Sequence, residues 1–444
     1  MPGARALRHH RAMTAATLPD FRSPDVLRAH IRHTMAFYDG RCIDPSGGFF
    51  HFFRDDGTVY DRRTRHLVSS TRFIFNHAMA WRHLERRPQW LEAVRHGLRF
   101  LDEAHAQPQG GHAWVIEHDP DRSAGGAPGA RPRVIDGTNH AYGQAFVLLA
   151  HAHALMAGVE EARAGLETCF ALMETRFWEP AHGLYADEAS ADWQTLSPYR
   201  GQNANMHACE ACLAAWDATL DAKYLQRALT LATSVTQRLA AQAAPQATDG
   251  ALVWEHWQRD WTPDWDYNRH DRSNIFRPWG FQTGHLTEWT KLLLQLESRL
   301  PASQRPDWIV PTARHFFEVA MRRGWDAQHG GLVYGFAPDG TVCDADKYFW
   351  VQAESLAAAA LLAIRTGDAA GWSAYDRLWA YSWTHLVDHR HGAWFRILTP
   401  DNRAYSDEKS PAGKTDYHTM GACWDVLRAM GALETRGAAS APAP

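Results

Sequence analysis

Five short stretches of the chain carry residue types suited to moving protons at a polar ligand. In "NIFRPWGFQTGHLTEWTKLLL", Arg277 lies in a loop, and His285 and Glu288 follow in the first turns of an expected helix. The positive end of a helix dipole disfavours imidazolium, and a general base at neutral pH must be uncharged. Glu288, one turn on, could orient the ring; its charge opposes the dipole, so the net basicity stays open. "RGQNANMHACEACLAAW" spaces Asn203, His207 and Glu210 by four and three residues. That spacing puts an amide, an imidazole and a carboxylate on one helix face. Such mixed donors and acceptors suit sugar hydroxyls, and equally an internal hydrogen-bond network. "SSTRFIFNHAMAW" sets Arg72 at the start of a largely apolar helix, where a cation needs a salt bridge from a neighbouring helix or a ligand. "DKYFWVQAESLAAAALL" offers Trp350 and Glu354 amid alanine and leucine, and "SDEKSPAGKTDYHTMGACWDVL" puts Asp416 and His418 at the head of the last helix. Any one histidine reads as well as a satisfied structural residue. Five pieces of one design, each where a helical hairpin opens, point to a shared rim.

The elements that must position them are helices. Apolar periodicity of about 3.6 residues predicts twelve, near 25–39, 71–87, 89–106, 140–157, 160–178, 203–219, 222–241, 283–299, 307–323, 350–366, 371–387 and 415–431. "AFVLLAHAHALMAG" and "QAESLAAAALLAIRTG" are apolar on most faces, as helices buried on several sides are. Strand signals are short and confined to connections. A faint repeat recurs there: "IDPSGGFFHFF", "WEPAHGLYADE", "WDAQHGGLVYGF" and "VDHRHGAWFRIL" each join a helix end, a glycine turn and a short aromatic strand. Repeated hairpins of this kind suggest a closed toroid or an open solenoid. In a toroid the ligand pocket lies at the end where long loops meet. Two segments break the repeat, 117–139 and 255–281. The second is dense in Trp, Asp, Arg and Asn, as a binding loop or lid would be.

Composition narrows the classes. The chain has 444 residues, 45% hydrophobic and 22% charged, with a formal charge of −4 and both signs mixed throughout. Nothing in that balance suggests a nucleic-acid groove or a polybasic membrane patch. No apolar run reaches spanning length, and the basic N-terminus lacks the apolar core of a Sec signal, so a cytoplasmic protein is expected. Twenty tryptophans and 26 histidines fit an aromatic pocket with acid–base groups. Six scattered cysteines, including the pair Cys209 and Cys212, read as small buried side chains rather than a metal or redox site. HExxH, P-loop, GxGxxG and GxSxG patterns are absent. Acid–base chemistry without a metal, on a polyhydroxylated ligand, is the reading left.

The stretches "GFQTGHLTEWTKLLL", "NANMHACEA", "KYFWVQAESLAAAALL" and "KTDYHTMGACW" resemble the N-acylglucosamine 2-epimerase superfamily, and within it the branch of mannose isomerases and related aldose–ketose isomerases. The resemblance covers roughly 21–433. It implies an all-α, (α/α)6 barrel of six helical hairpins with short β-hairpins in the connecting loops, as one catalytic domain over 21–433 with flexible tails at 1–20 and 434–444. It also implies interconversion of mannose and fructose through an enediolate, with lyxose a further substrate, no cofactor and no metal. His285 and His418 match the two catalytic histidines. Asn203 and His207 match sugar contacts, Arg72 the group that polarises the substrate's oxygen end, and Trp350 and Glu354 pocket residues. Arg277 and Glu288 match supporting groups, and Tyr142 is retained where Gln144 replaces a histidine common in the family. Two other outcomes stay open. Proton return to the opposite face of C2 would make a sugar 2-epimerase. Two flanking carboxylates, drawn from Glu210, Glu288 and Glu354, would make a glycoside hydrolase.

Overall fold

The computed structural model describes residues 18–119, 132–271, 274 and 276–433. Most of both expected tails and the middle of the 117–139 loop lie outside the described residues. The chain is predominantly helical. Its long helices are α1 (Pro24–Tyr38), α2 (Leu67–His83), α3 (Pro88–Phe100), α4 (Ala141–Met156), α5 (Ala162–Arg176), α6 (Gln202–Thr219), α7 (Ala222–Thr233), α8 (Thr283–Arg299), α9 (Ile309–Gly324), α10 (Phe349–Thr366), α11 (Ala369–His385) and α12 (Tyr417–Ala429). Short π-helical turns, Leu101–His105 and Ser234–Leu239, extend α3 and α7.

Local chemistry sets the ends. Pro24 and Pro88 open α1 and α3, where proline's missing N–H costs nothing. The side chains of Asp221 and Asp368 accept backbone N–H groups at the starts of α7 and α11, and Gly367 ends α10 in the left-handed conformation. One boundary departs from expectation. α2 begins at Leu67, straight out of the strand Thr64–His66, and stops at His83. Arg72 therefore sits in its second turn, not at its start.

Burial divides the helices into two sets. α2, α4, α6, α8 and α10 are buried nearly all round; in α4 every residue from Gly143 to Leu155 is covered. α3, α5, α7 and α9 bury one face only. The first set closes through α12: α2 packs on α4, α4 on α6, α6 on α8, α8 on α10, α10 on α12 and α12 on α2. Each of these carries one flanking helix: α3 on α2, α5 on α4, α7 on α6, α9 on α8, α11 on α10 and α1 on α12. One cluster of buried apolar side chains runs through both sets from Phe21 to Leu427.

The repeat in the connections is real and commoner than the sequence suggests. Antiparallel bridges close the turns at Ile43↔Phe49, Trp325↔Leu332 and Val387↔Trp394, and strands pair Trp178–Glu179 with Leu184–Tyr185. Another bridge, Ala106↔His112, closes a turn after α3 that its glutamine-rich sequence concealed. At the opposite end, the strands Thr64–His66, Asn139–His140, Arg200–Gly201, Phe281–Gln282 and Lys347–Tyr348 lead directly into α2, α4, α6, α8 and α10.

Many buried histidines are held neutral. Burial takes His66 and His105 down to about 3, and His151 and His256 down to about 4. The unfolded chain binds these protons below about pH 6.5 while the folded chain does not, so stability falls on acidification. The expected slope is about 1.4 kcal/mol per pH unit for each such histidine. Thermal melts should show Tm dropping steeply between pH 6.5 and pH 4; a flat profile would contradict this assignment.

Candidate active site

The first two turns of α2, α4, α6, α8, α10 and α12 converge on a cavity of about 120 Å³. Tyr142, Asn203, Trp350 and His418 are the second residues of α4, α6, α10 and α12. Arg72, His207, Glu288 and Glu354 are the sixth residues of α2, α6, α8 and α10. Positions two and six share a helix face, so the packing that buries the helices also aims these side chains inward. His285 is the third residue of α8. Of the residues singled out from sequence, Arg72, Tyr142, Asn203, His207, His285, Glu288, Trp350 and His418 line this cavity. Glu354 stands one layer behind His418. Arg277 lines an adjoining cavity of about 240 Å³, where it pairs with Glu188 at 2.7 Å over the Tyr199 ring.

Three imidazoles in the cavity wall share one arrangement. His285 Nδ1 lies 2.9 Å from each oxygen of Glu255, His418 Nδ1 lies 2.6 Å from Glu354, and His207 Nδ1 lies 3.0 Å from Glu210. An ionised carboxylate only accepts, so each Nδ1 carries the proton and each Nε2 keeps its lone pair. Among the described residues no hydrogen bond engages any of the three Nε2 atoms. Burial, then the Arg72 charge, holds His418 well below the usual histidine range, and burial lowers His207 against the pull of Glu210. Both are neutral at pH 7. The Trp350 indole lies 5.1 Å from the His285 ring and 5.9 Å from the His418 ring, so the two histidines flank one aromatic surface.

Glu255 corrects the sequence reading. It, and not Glu288, orients His285. Gln202 donates to Glu255 at 2.9 Å while its own carbonyl accepts from Trp289 at 2.8 Å, which fixes the direction of the amide. Gly284 beside His285 is needed for space: a Cβ there would come within 2.3 Å of Trp350.

Arg72 has no ion-pair partner among the described residues. Of the two alternatives open from sequence, the salt bridge to a neighbouring helix does not form; the guanidinium lies against the Phe146 and Tyr417 ring faces, at 4.4 and 4.9 Å, the Tyr142 hydroxyl at 3.2 Å and the Gly413 carbonyl. A buried guanidinium with its charge uncompensated is a place for a developing oxyanion. Glu288 behaves oppositely. Burial and the neighbouring Glu354 push its carboxyl well above the usual range, and neither oxygen has a hydrogen-bond partner among the described residues. The shift favours its protonated form, which can donate to a ligand oxygen.

The donors of His207, Glu210 and Glu288, and of Glu288, Glu354 and His418, lie close enough to surround a metal ion. Their chemistry argues for a different use. The Nδ1 atoms are committed to carboxylates, and the Lys291 ammonium stands 2.5 Å from Glu354, an unfavourable neighbour for a second cation. The start of α12 is anchored through Asp416, one of whose partners, Lys414, also lines the cavity. Asp416, in the left-handed region at φ 52°, accepts from Lys414 and from Tyr38, each at 2.6 Å. Gln144 takes no part in the cavity and bonds His112 at 2.9 Å. Among the described residues no cysteine forms a disulfide, and five of the six are buried, Cys209 and Cys212 among them, as packing side chains are.

Comparison with known proteins adds a second line of evidence. The profile of the N-acylglucosamine 2-epimerase family matches residues 48–422. A D-mannose isomerase from Marinomonas mediterranea is 52% identical over 412 residues, covering 93% of this chain and 99% of that protein. A crystal structure of a D-mannose isomerase superposes with a TM-score of 0.86 at 51% identity, over 93% of this chain and all of the other. A cellobiose 2-epimerase from Spirochaeta thermophila superposes at 0.78 with 23% identity, over 92% and 96% of the two chains, a likeness of fold.

Proposed function

The chain belongs to the N-acylglucosamine 2-epimerase family, and we propose that it is an aldose–ketose isomerase interconverting D-mannose and D-fructose. The observation that carries this reading is the pair His285 and His418, each with a carboxylate on Nδ1 and a free Nε2, on one monosaccharide-sized cavity. After ring opening, one neutral imidazole removes the C2 proton beside the aldehyde. Arg72 and Glu288 in its protonated form stabilise the enediolate oxygens, and protonation at C1 gives the ketose. The two histidines share the carbon and oxygen proton transfers, while Asn203, His207 and Tyr142 hold hydroxyls and Trp350 supports the sugar face. We assign Arg277 a supporting role at the adjoining cavity and Glu354 one through His418.

The helix contacts support a closed (α/α)6 toroid formed as a single domain over 21–433. No helix among the described residues is long and apolar enough to cross a membrane. The lack of disulfides among the described residues suits a reducing compartment, and the reading extends to a cytoplasmic enzyme of free sugars with no nucleic-acid or membrane partner. Only Glu288 among the candidate carboxylates faces the cavity, so the pair a hydrolase needs does not form.

The test is mannose incubated in deuterated water and followed by NMR. Fructose labelled at C1 is the expected product, at a rate a chelator leaves unchanged. Glucose labelled at C2 without fructose would make the enzyme a 2-epimerase; no conversion would end the reading.

A further inference from the structure

A second cavity, about 50 Å³, enters the protein from the opposite end of the helices. Its outer walls are the late residues Asp217, Arg299 and Arg428, and its inner end is formed by Lys291, Glu354 and Glu210. It therefore stops directly behind the histidines of the catalytic cavity. Of the three residues at its inner end, Lys291 alone has no part in the chemistry above. Its side chain is 4% exposed, its Nζ lies 2.5 Å from Glu354 and 3.7 Å from Asp425, and Glu354 holds His418 Nδ1 through its other oxygen.

We propose that Lys291 is a positioning residue for catalysis: through Glu354 it fixes the tautomer of His418, keeping Nε2 free to act as a base. The inference rests on the isomerase reading for its effect on rate, but not for its effect on the imidazole. The groups facing Glu354 make the role specific. From α8 come Glu288 and Lys291, from α12 Tyr417, His418 and Asp425, and from α6 His207 and Glu210. Glu288 and Asp425 are both driven toward their neutral forms by burial, Glu288 also by Glu354. Glu210 is committed to His207 and Tyr417. Lys291 is thus the only cation in direct contact with Glu354 among the described residues. Burial raises the Glu354 carboxyl above its usual range, and Lys291 is the largest influence opposing that rise.

Without the ammonium, Glu354 takes a proton and donates it to His418 Nδ1. The imidazole then carries its proton on Nε2, facing the sugar, and has no lone pair to offer there. In Lys291→Met, kcat for mannose is expected to fall by about 10²–10⁴-fold, the range for losing a positioned acid–base group, with KM changed by about twofold or less. The loss should shrink as pH rises and Glu354 ionises. Lys291→Arg should retain most activity, and Asp425→Asn should stay near native, because Glu354 keeps its cation.

The decisive measurement needs no turnover. Imidazole ¹⁵N shifts, with His418 assigned by its disappearance in His418→Asn, should report proton on Nδ1 in the native protein and on Nε2 in Lys291→Met. Unchanged His418 shifts in a folded Lys291→Met protein would overturn the proposal, as would a rate loss of equal size at every pH. If the methionine variant does not fold, Lys291→Gln repeats the measurement, and a hundredfold loss in folded Lys291→Arg would also overturn it. A native protein inactive on mannose whose His418 tautomer still changes would reject the isomerase reading and leave this inference standing.

Discussion

Replacing His285 or His418 with asparagine is expected to lower kcat for mannose by about 10²–10⁴-fold, the contribution of a positioned acid–base group, while KM moves little. Asparagine keeps polarity near the position of Nδ1 but removes the Nε2 lone pair that faces the ligand. The groups that hold hydroxyls, Asn203, His207 and Tyr142, are untouched, so ground-state binding survives. Both histidines are needed because isomerisation moves two protons, one between carbons and one between oxygens. The losses should therefore not add: a double variant should be little worse than the poorer single one, as for groups that act as a unit. Steady-state kinetics on mannose and fructose, with melting curves to show an intact fold, provide the check. Either single variant retaining native turnover would remove that histidine from the mechanism.

The second large effect belongs to Glu255→Gln. This substitution preserves size and leaves the histidine in place, yet an expected loss of about 10³–10⁴-fold follows from the tautomer. The carboxylate accepts from His285 Nδ1, and Gln202 already donates to it. A neutral amide in that setting turns its NH₂ toward one neighbour or the other and no longer enforces Nδ1–H. Loss of the acceptor that orients a catalytic imidazole costs about 10⁴ in the Ser-His-Asp enzymes. Glu255→Asp should recover part of the rate, since it keeps the charge with a shorter reach. Equal activity of the glutamine variant and the native enzyme would show that His285 does not act as a base.

The difference between these two predictions marks what the sequence could reveal. Helix periodicity and the residues on each helix's cavity-facing side were legible, because positions two and six repeat at a spacing the chain displays directly. Asn203 with His207 and Trp350 with Glu354 are read in this way, as is the His207–Glu210 pair. Glu255 was not legible. It belongs to the start of an irregular loop and meets His285 thirty residues later, across a strand, so no periodic signal links them. Its only trace is an acidic residue opening the segment 255–281, where several acids compete for notice. Glu354 was found on one face with Trp350, but its partner was not legible: only packing of α12 against α10 reveals that it turns to His418. Arg72 was found through its apolar setting, while its aromatic companions Phe146 and Tyr417 come from two other helices. The start of α2 was misplaced by four residues because Thr64–His66, too short to carry a strand pattern, leads into it without a turn.

The helical side chains that face the ligand occupy the opening two turns of their helices, beside loop residues such as Lys414, and the later turns carry most of the packing between helices. Architecture and selectivity are thereby decoupled in this molecule. Relatives could exchange the connections that precede those turns, and so alter which sugars are admitted, without disturbing the packing on which folding depends. Chimaeras with grafted connections should melt together with their parent even when their substrate preferences diverge.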